Sequence, residues 1–313
     1  MAGTLALTGA SGFIGRRLMD QAVAAGWQVR ALSRRPDSIG GSPSVSVLQG
    51  SLSSRAALER LVDGVDAVVH CAGLIKARRS GAFDAVNAEG TANLVDIAAA
   101  QASPPRFLLM SSLAAREPGL SAYAGSKQRG EAALTTRGDG LDWQIIRPPA
   151  VYGPGDTATL SLFRQFKQGL TFVPRNRAAR FSLLYVDDLA RAVLVLLEGA
   201  LPARQTLELH DGRRNGYSWD DIAEVARRVV GREIRWVRVP SPVMRGLAMG
   251  NVAFRSFAGK APVLTPGKVR EICHADWVCR NNLLDVRSPW YAKVDVQTGF
   301  RRTLDWYEAA GWL

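Results

Sequence analysis

A doubly wound α/β fold, with a parallel sheet covered by helices on both faces, is predicted by three features of the chain. Six short runs rich in strand-forming residues lie between Thr4 and Val151, separated by helical patterns. The runs are apolar almost throughout, as strands buried on both faces are. Gly9, Gly12 and Gly15 follow the first run at three-residue spacing, just where a helix opens.

Thr4–Thr8 reads as strand one, and the helical pattern begins at Phe13. Strand, glycine turn and helix in that order build an anion site. The glycines let the backbone turn tightly and approach a pyrophosphate, and the helix N-terminus offers free N–H groups and a positive dipole. Trp27–Ser33 is strand two and Ser44–Gln49 strand three; Ser53–Val62 is a helix opened by a serine cap. Asp66–Ala72 is strand four, followed by a long amphipathic helix over Phe83–Ala100. Arg106–Ser111 is strand five, Ala124–Thr136 a helix and Gln144–Val151 strand six. Right-handed crossovers then place ligands at the carboxyl ends of the strands.

Beyond Gly153 the pattern loosens. Ser182–Leu197 returns to strand then helix, and Thr206–His210 reads as a last sheet strand. The expected division is a dinucleotide-binding Rossmann domain over 1–153, with 180–210 returning to it. A smaller, mostly helical substrate domain takes 154–179 and 211–313. Asp187 and Asp188 are adjacent, and one is expected to cap a helix beginning near Leu189.

Composition fits a soluble enzyme: 313 residues, 47% hydrophobic, 22% charged. No run of eighteen apolar residues is present, and no membrane span is expected. The first residues carry no basic leader, so no secretory signal is expected. Cys71, Cys273 and Cys279 show no metal-type spacing, which fits a reducing, cytoplasmic compartment. The net charge of +12 could serve an anionic substrate, an acidic partner or nucleic acid. Because the arginines are scattered, a basic soluble surface is the reading adopted, without nucleic acid.

Chemistry gathers at the end of strand five. Ser111 and Ser112 close it, and Tyr123 with Lys127 follow as Y-x-x-x-K. Residues four apart share a helix face, so phenol and ammonium can point into one cleft. A phenol titrates near 10, and a neighbouring cation lowers that value, making it a usable acid or base.

Here the chain resembles the short-chain dehydrogenase/reductase superfamily in its extended form, the NAD-dependent epimerase/dehydratase type. The matching residues are TGASGFIG at 8–15, HCAG at 70–73, Asn87 with Gly90, Thr91 and Asn93, Ser111–Ser112, Tyr123 with Lys127, RPPAVYGPG at 147–155 and YVDDLA at 185–190. The resemblance implies an enzyme in which Tyr123 is the general acid/base and Lys127 lowers its pKa and holds the cofactor ribose. It makes Ser112, rather than Ser111, the substrate-orienting hydroxyl. It places Gly9, Ser11, Gly12, Phe13, Ile14, Ser33, Arg34, Arg35, Ala72, Gly73, Asn87, Tyr123, Lys127, Pro148 and Val151 at the cofactor. His70 keeps a structural role, and no metal is assigned to His70, His210 or His274.

Two departures bear on the cofactor. NAD-using relatives carry an acid at the end of strand two, where this chain has Ser33, then Arg34 and Arg35. Loss of the carboxylate and gain of guanidinium suit a 2′-phosphate, so NADP(H) is expected over NAD(H); arginines on a solvated turn are the alternative. Ser51 replaces an aspartate near the adenine. Nucleotide-sugar members carry an arginine just before the V-x-D-L-A motif; here Phe181 stands there and Arg180 one residue earlier, on the other face of a strand. The segment 264–277 is closer to 3β-hydroxysteroid dehydrogenase-like and dihydroflavonol-reductase-like members. Their resemblance implies hydride transfer between NADP(H) and a ketone or hydroxyl of a fairly apolar small molecule. The apolar run Val243–Phe257, with Met244, Met249, Phe254 and Phe257, could line such a pocket, pack as plain helix, or lie on a membrane surface beside Arg245, Arg255 and Lys260. Trp306, Tyr307 and Trp312 are expected to dock the tail. A homodimer and peripheral membrane contact are further expected partnerships. Two alternatives stay open: a nucleotide-sugar epimerase/dehydratase, and a non-catalytic NADPH-binding sensor or complex I accessory-type protein.

Overall fold

A computed structural model describes residues 3–199, 201–257, 262 and 264–313. In chain order the elements are β1 (Thr4–Thr8), α1 (Phe13–Ala24), β2 (Gln28–Ser33), β3 (Val45–Gln49), α2 (Arg55–Val62), β4 (Ala67–His70) and α3 (Gly81–Asp84). A π-helical turn, Ala85–Glu89, leads into α4 (Gly90–Ala99). Then come β5 (Arg106–Met110), α5 (Ala122–Arg137), β6 (Trp143–Arg147), β7 (Ala150–Tyr152), α6 (Leu160–Gln168), β8 (Leu170–Pro174), β9 (Arg180–Phe181) and β10 (Leu183–Tyr185). The rest are α7 (Val186–Leu197), β11 (Gln205–Glu208), α8 (Trp219–Val230), β12 (Arg235–Val239), α9 (Ser241–Phe257), α10 (Pro266–Cys273), β13 (Asp276–Trp277), α11 (Leu284–Arg287) and α12 (Val296–Ala309).

The chain divides into two compact units. The first comprises 1–147, 190–207 and 284–290. Its seven-stranded sheet runs β11-β6-β5-β4-β1-β2-β3, the Rossmann-type α/β arrangement. β1 pairs in parallel with β2 on one side and β4 on the other, Leu5 standing opposite Val29 and Ala67. The order reverses between β1 and β4, so the carboxyl ends of these strands, Thr8 and His70, flank the crevice where such sheets bind ligands. Leu58, Leu61, Leu94 and Phe107 are fully buried in the core on one side of the sheet. Each such side chain contributes about 1.5–3 kcal/mol by leaving water.

The second unit comprises 148–189, 208–283 and 291–313. Its core is aromatic: Tyr152, Phe163, Phe166, Tyr185, Phe300 and Tyr307 are buried together. Phe300 lies 5.1 Å from both Tyr152 and Phe163, ring to ring. The tail docks as expected, with Tyr307 stacked on Trp312 at 5.8 Å and Trp306 against Trp312 at 5.0 Å.

Several boundaries differ from expectation. Strand six is not continuous over Gln144–Val151. Pro148 and Pro149 have no N–H to donate, so the ladder stops at Arg147. Ala150–Tyr152 then pairs with Leu183–Tyr185 in a separate two-stranded sheet. The compact units accordingly divide at Arg147/Pro148 rather than at 153, residues 180–189 fall in the second unit, and 284–290 fall in the first. The helix expected from Phe83 begins at Gly81 and carries the π-helical turn. The serine before α2 is Ser54, whose side chain makes no cap bond. Helix α7 starts at Val186, so Asp187 and Asp188 lie in its first turn and neither is its cap. Asp188 instead accepts the backbone N–H groups of Lys293 (3.1 Å) and Val294 (2.9 Å). Met249 and Phe254 of α9 are 65% and 71% exposed, so they do not line a closed pocket. Phe257's side chain and Lys260 lie outside the described residues.

Candidate active site

The glycine turn is shaped by contact on one side and by open space on the other. Gly9 has φ +74°, and a Cβ there would lie 2.7 Å from the Ala72 nitrogen. A Cβ on Gly15 would collide with the Gly9 carbonyl. Gly12 differs: its backbone is extended, and a Cβ would meet only the Gly9 carbonyl oxygen, at 3.1 Å. Helix α1 has no acidic residue in its first turn and no side-chain cap. Its first N–H groups therefore remain available, and the dipole favours an anion there. Ser11 is exposed, and Phe13 and Ile14 are half-buried beside it.

Arg16, which sequence reasoning missed, braces this turn. Its Nε donates to the Ser11 carbonyl (3.1 Å) and its Nη2 to the Ser38 carbonyl (2.9 Å), joining the turn after β1 to the turn after β2. Ser33 is buried and folds its own turn: its hydroxyl donates to the Arg35 carbonyl (2.9 Å) and accepts the Arg35 N–H (3.1 Å). Arg34 and Arg35 are exposed and make no ion pair among the described residues. Ser51 pairs with the Ser53 hydroxyl at 2.9 Å.

The end of β4 is held from below by His70. Its Nδ1 meets the Thr8 hydroxyl (2.6 Å) and its Nε2 the Thr91 hydroxyl (3.1 Å). Burial, aided by the charge of Lys127, pushes its pKa down to about 3. The unfolded chain takes up a proton below about 6.5; the native His70 does not until about 3. Acidification from 6.5 towards 3 therefore favours unfolding, by an amount on the order of 4 kcal/mol at the lower end. Denaturant melts of wild type and His70→Gln across that range should show a flatter pH dependence for the variant, whatever its absolute stability. Parallel slopes would refute this.

Beyond β4, the loop is stapled to helix α5 through Asn87. Its Oδ1 accepts the Leu74 N–H (2.7 Å), and its Nδ2 donates to the Leu74 carbonyl (3.0 Å) and the Ser126 hydroxyl (2.9 Å). Ser126 donates in turn to the Tyr123 carbonyl at 2.7 Å. Asn87 sits in the π-helical turn, which lies so close to α5 that a Cβ on Gly130 would collide with the Asn87 carbonyl. A Cβ on Gly73 would stand 3.2 Å from the Asn87 Oδ1 and 3.8 Å from the Lys127 ammonium. Leu74, Asn87 and α5 thus form one hydrogen-bonded assembly, with Gly73 close against it. Ser126 and the π turn went unread in the sequence, although Ser126 lies inside the Y-A-G-S-K motif.

Helix α5 opens at Ser121, whose hydroxyl accepts the Ala124 N–H at 3.0 Å. Tyr123, one residue into the helix, is half-buried with its ring edge-on to Phe83 at 6.2 Å. Lys127, one turn later, is only 8% exposed and donates from Nζ to the Met110 carbonyl at 2.7 Å. Burial lowers its pKa to about 8, against the opposing pull of Glu131. Burial also pushes the Cys71 thiol up to about 12, so it stays protonated.

The paired serines separate cleanly. The Ser111 hydroxyl is buried and donates to Glu131, which also accepts two bonds from Arg147, at 2.9 and 2.6 Å. Breaking so buried a pair costs about 3–5 kcal/mol, which makes this cluster a structural clamp between β5, α5 and β6. Ser112 is half-buried and accepts the Ala114 N–H at 3.2 Å, so its own proton is free to be donated. Of the remaining expected cofactor residues, Pro148 follows β6 and Val151 stands opposite Leu184 in the second unit. Among the described residues no group of three or more His, Cys, Asp or Glu could hold a metal ion.

Residues 5–206 match the NAD dependent epimerase/dehydratase family. The chain belongs to that family. Over its full length it is similar to the ceramide reductase of Caulobacter vibrioides, 38% identical over 99% of this chain and 96% of that one. It is 26% identical to a 3β-hydroxysteroid dehydrogenase/Δ5→4-isomerase of Mycobacterium tuberculosis, over 86% of this chain and 81% of that one. In fold it matches Bordetella bronchiseptica WbmF, solved in complex with NADH, with TM-score 0.76, 16% identity, and 99% and 93% coverage. A Burkholderia cenocepacia structure described as a putative epimerase matches with TM-score 0.74, 21% identity and 98% coverage of both chains. The protein is therefore an NAD(P)-dependent oxidoreductase of the extended short-chain type. The free helix terminus, the open face of Gly12 and the Gly73 cradle fit such a dinucleotide.

Proposed function

We propose that this protein reduces a ketone on a ceramide-like lipid to the alcohol, with NADPH as its preferred cofactor. The observation that carries the proposal is the full-length similarity to a ceramide reductase, joined to an intact Ser112, Tyr123 and Lys127. Bound NADPH supplies the hydride. Tyr123 donates its phenolic proton to the substrate oxygen as charge develops there. Lys127, when protonated, stabilises the phenolate that remains. Ser112 donates a hydrogen bond to the same oxygen and orients it, keeping its own proton. Residues 5–206 contain the whole of this machinery. The three cysteines, none disulfide-bonded, suit a cytoplasmic setting.

A nucleotide-sugar reading is disfavoured by Arg180. Its guanidinium is engaged by Asp221 at 3.0 Å, while Phe181 rests on Trp219 at 4.9 Å, ring to ring. Loss of NADPH absorbance should accompany incubation with a ketone-bearing ceramide in mixed micelles. Epimerisation of a UDP-sugar, with no reduction of any lipid ketone, would overturn the proposal.

Cofactor preference rests on Arg34 and Arg35. Arg34→Ala should weaken NADPH binding by roughly 1.5–3 kcal/mol, the range for hydrogen bonds to charged groups, and leave NADH nearly unchanged. Fluorescence titration of both cofactors checks this; a wild type that prefers NADH would refute it.

A further inference from the structure

We propose that the second unit seats the protein on an anionic lipid surface through α9 and the adjoining edge of β8 and β12. Helix α9 shows an unusual division of its apolar residues. Ala248 is fully buried, and Met244 packs its sulfur 3.9 Å from that of Cys273, so this side anchors the helix. Val243, Leu247 and Phe254 are 53%, 63% and 71% exposed. Their spacings of four and seven residues put them in one stripe along the outer side. Strand β12 runs through Pro240 directly into α9 and pairs with β8, with Phe172 opposite Val237. Phe172 is itself 54% exposed and Leu170 37%. Isolated exposed apolar residues need no explanation; a stripe continued by a strand does.

Charge identifies the occupant. From Ile234 to Arg270 the sequence has seven Lys or Arg and no Asp or Glu. Arg175, just after β8, Arg235 on β12 and Arg245 on α9 are exposed and make no ion pair among the described residues. Arg238 and Lys268 are paired with Asp220 and Glu271, but an exposed apolar helix face with Arg245 on its far margin, beyond the 65% exposed Met249, in a run of sequence without acids, is the pattern of a helix lying in an anionic membrane interface. A second copy of this chain would bring another +12 against the same basic stretch. Among the described residues no helix is long and apolar enough to cross a membrane, so α9 lies along the surface. The inference stands on this surface alone. It also gives the proposed lipid reductase access to a substrate that resides in the bilayer.

Flotation of the full chain with vesicles of phosphatidylcholine plus phosphatidylglycerol, against phosphatidylcholine alone, tests it. Wild type should float with the anionic vesicles and detach as salt rises. Leu247→Glu with Phe254→Glu should weaken binding by at least about tenfold, with NADPH affinity unchanged as the measure of an intact fold. Arg245→Glu should weaken binding to anionic vesicles selectively. Failure of wild type to float, equal flotation of the variants, or a dimer that the double variant dissolves would each overturn the inference. No lipid ketone is present in this assay, so its result is independent of whether the reductase reading holds.

Discussion

Tyr123→Phe should lower turnover by roughly 10²–10⁴, the usual contribution of a positioned acid or base, while NADPH still binds. The substitution keeps the ring that meets Phe83 edge-on and removes only the phenolic oxygen and its proton. The backbone carbonyl of Tyr123, which holds Ser126 and through it Asn87, is untouched. The bonds that tie Ser126 and Asn87 to the cofactor loop are kept, so the defect should fall on kcat rather than on cofactor affinity. Lys127 adds a pH signature. Burial holds its pKa at about 8 in the free enzyme, so it loses its charge as pH rises through that value. The phenolate then loses its stabilising cation, and kcat/KM for reduction should decline above about pH 8 in wild type. In Tyr123→Phe no phenolate forms, and this limb should flatten. Steady-state rates across that range, with single-turnover measurements to isolate the chemical step, would check both expectations. A Tyr123→Phe enzyme retaining more than a tenth of wild-type turnover would remove the tyrosine from the chemistry.

Much of this site was legible because its parts are local in sequence. The glycine turn, the Y-x-x-x-K pair and the serine ending strand five each lie within a few residues, where helical or strand spacing decides which side chains meet. What the sequence did not disclose depends on distant pairs. Arg16 matters because it spans two turns, reaching Ser11 and Ser38. Glu131 pairs with Ser111 and Arg147, twenty and sixteen residues away, and no periodicity encodes that. The π-helical turn at Asn87 was hidden for a different reason. An apolar pattern at helical spacing does not distinguish one inserted residue, and the clue was a glycine at position 130 on another helix. The break of strand six at Pro148 was readable in principle, since two prolines cannot continue a ladder.

Gly12→Val should abolish dinucleotide binding while the protein stays folded, and the three glycines of the turn predict different failures. A Cβ at Gly15 collides with the Gly9 carbonyl, and one at Gly9 meets the Ala72 nitrogen in a left-handed backbone. Bulk at either position must move backbone, so folding and binding are lost together. Gly12 has φ −80° and ψ 170°, a conformation any L-residue adopts. Its one close neighbour is the Gly9 oxygen at 3.1 Å, which must yield by a few tenths of an ångström. Beyond that the branches of a valine project ahead of the first N–H groups of α1, where the pyrophosphate must come within hydrogen-bonding distance. The same branches would shield those donors from water, so the helix dipole gains no replacement anion. NADPH affinity should fall by more than about a hundredfold, roughly 2.7 kcal/mol, with the thermal midpoint changed far less than in Gly15→Val. Calorimetric titration alongside thermal melts separates the two effects. Unchanged affinity in a folded Gly12→Val protein would mean that the cofactor's phosphates lie elsewhere and that this turn serves packing alone.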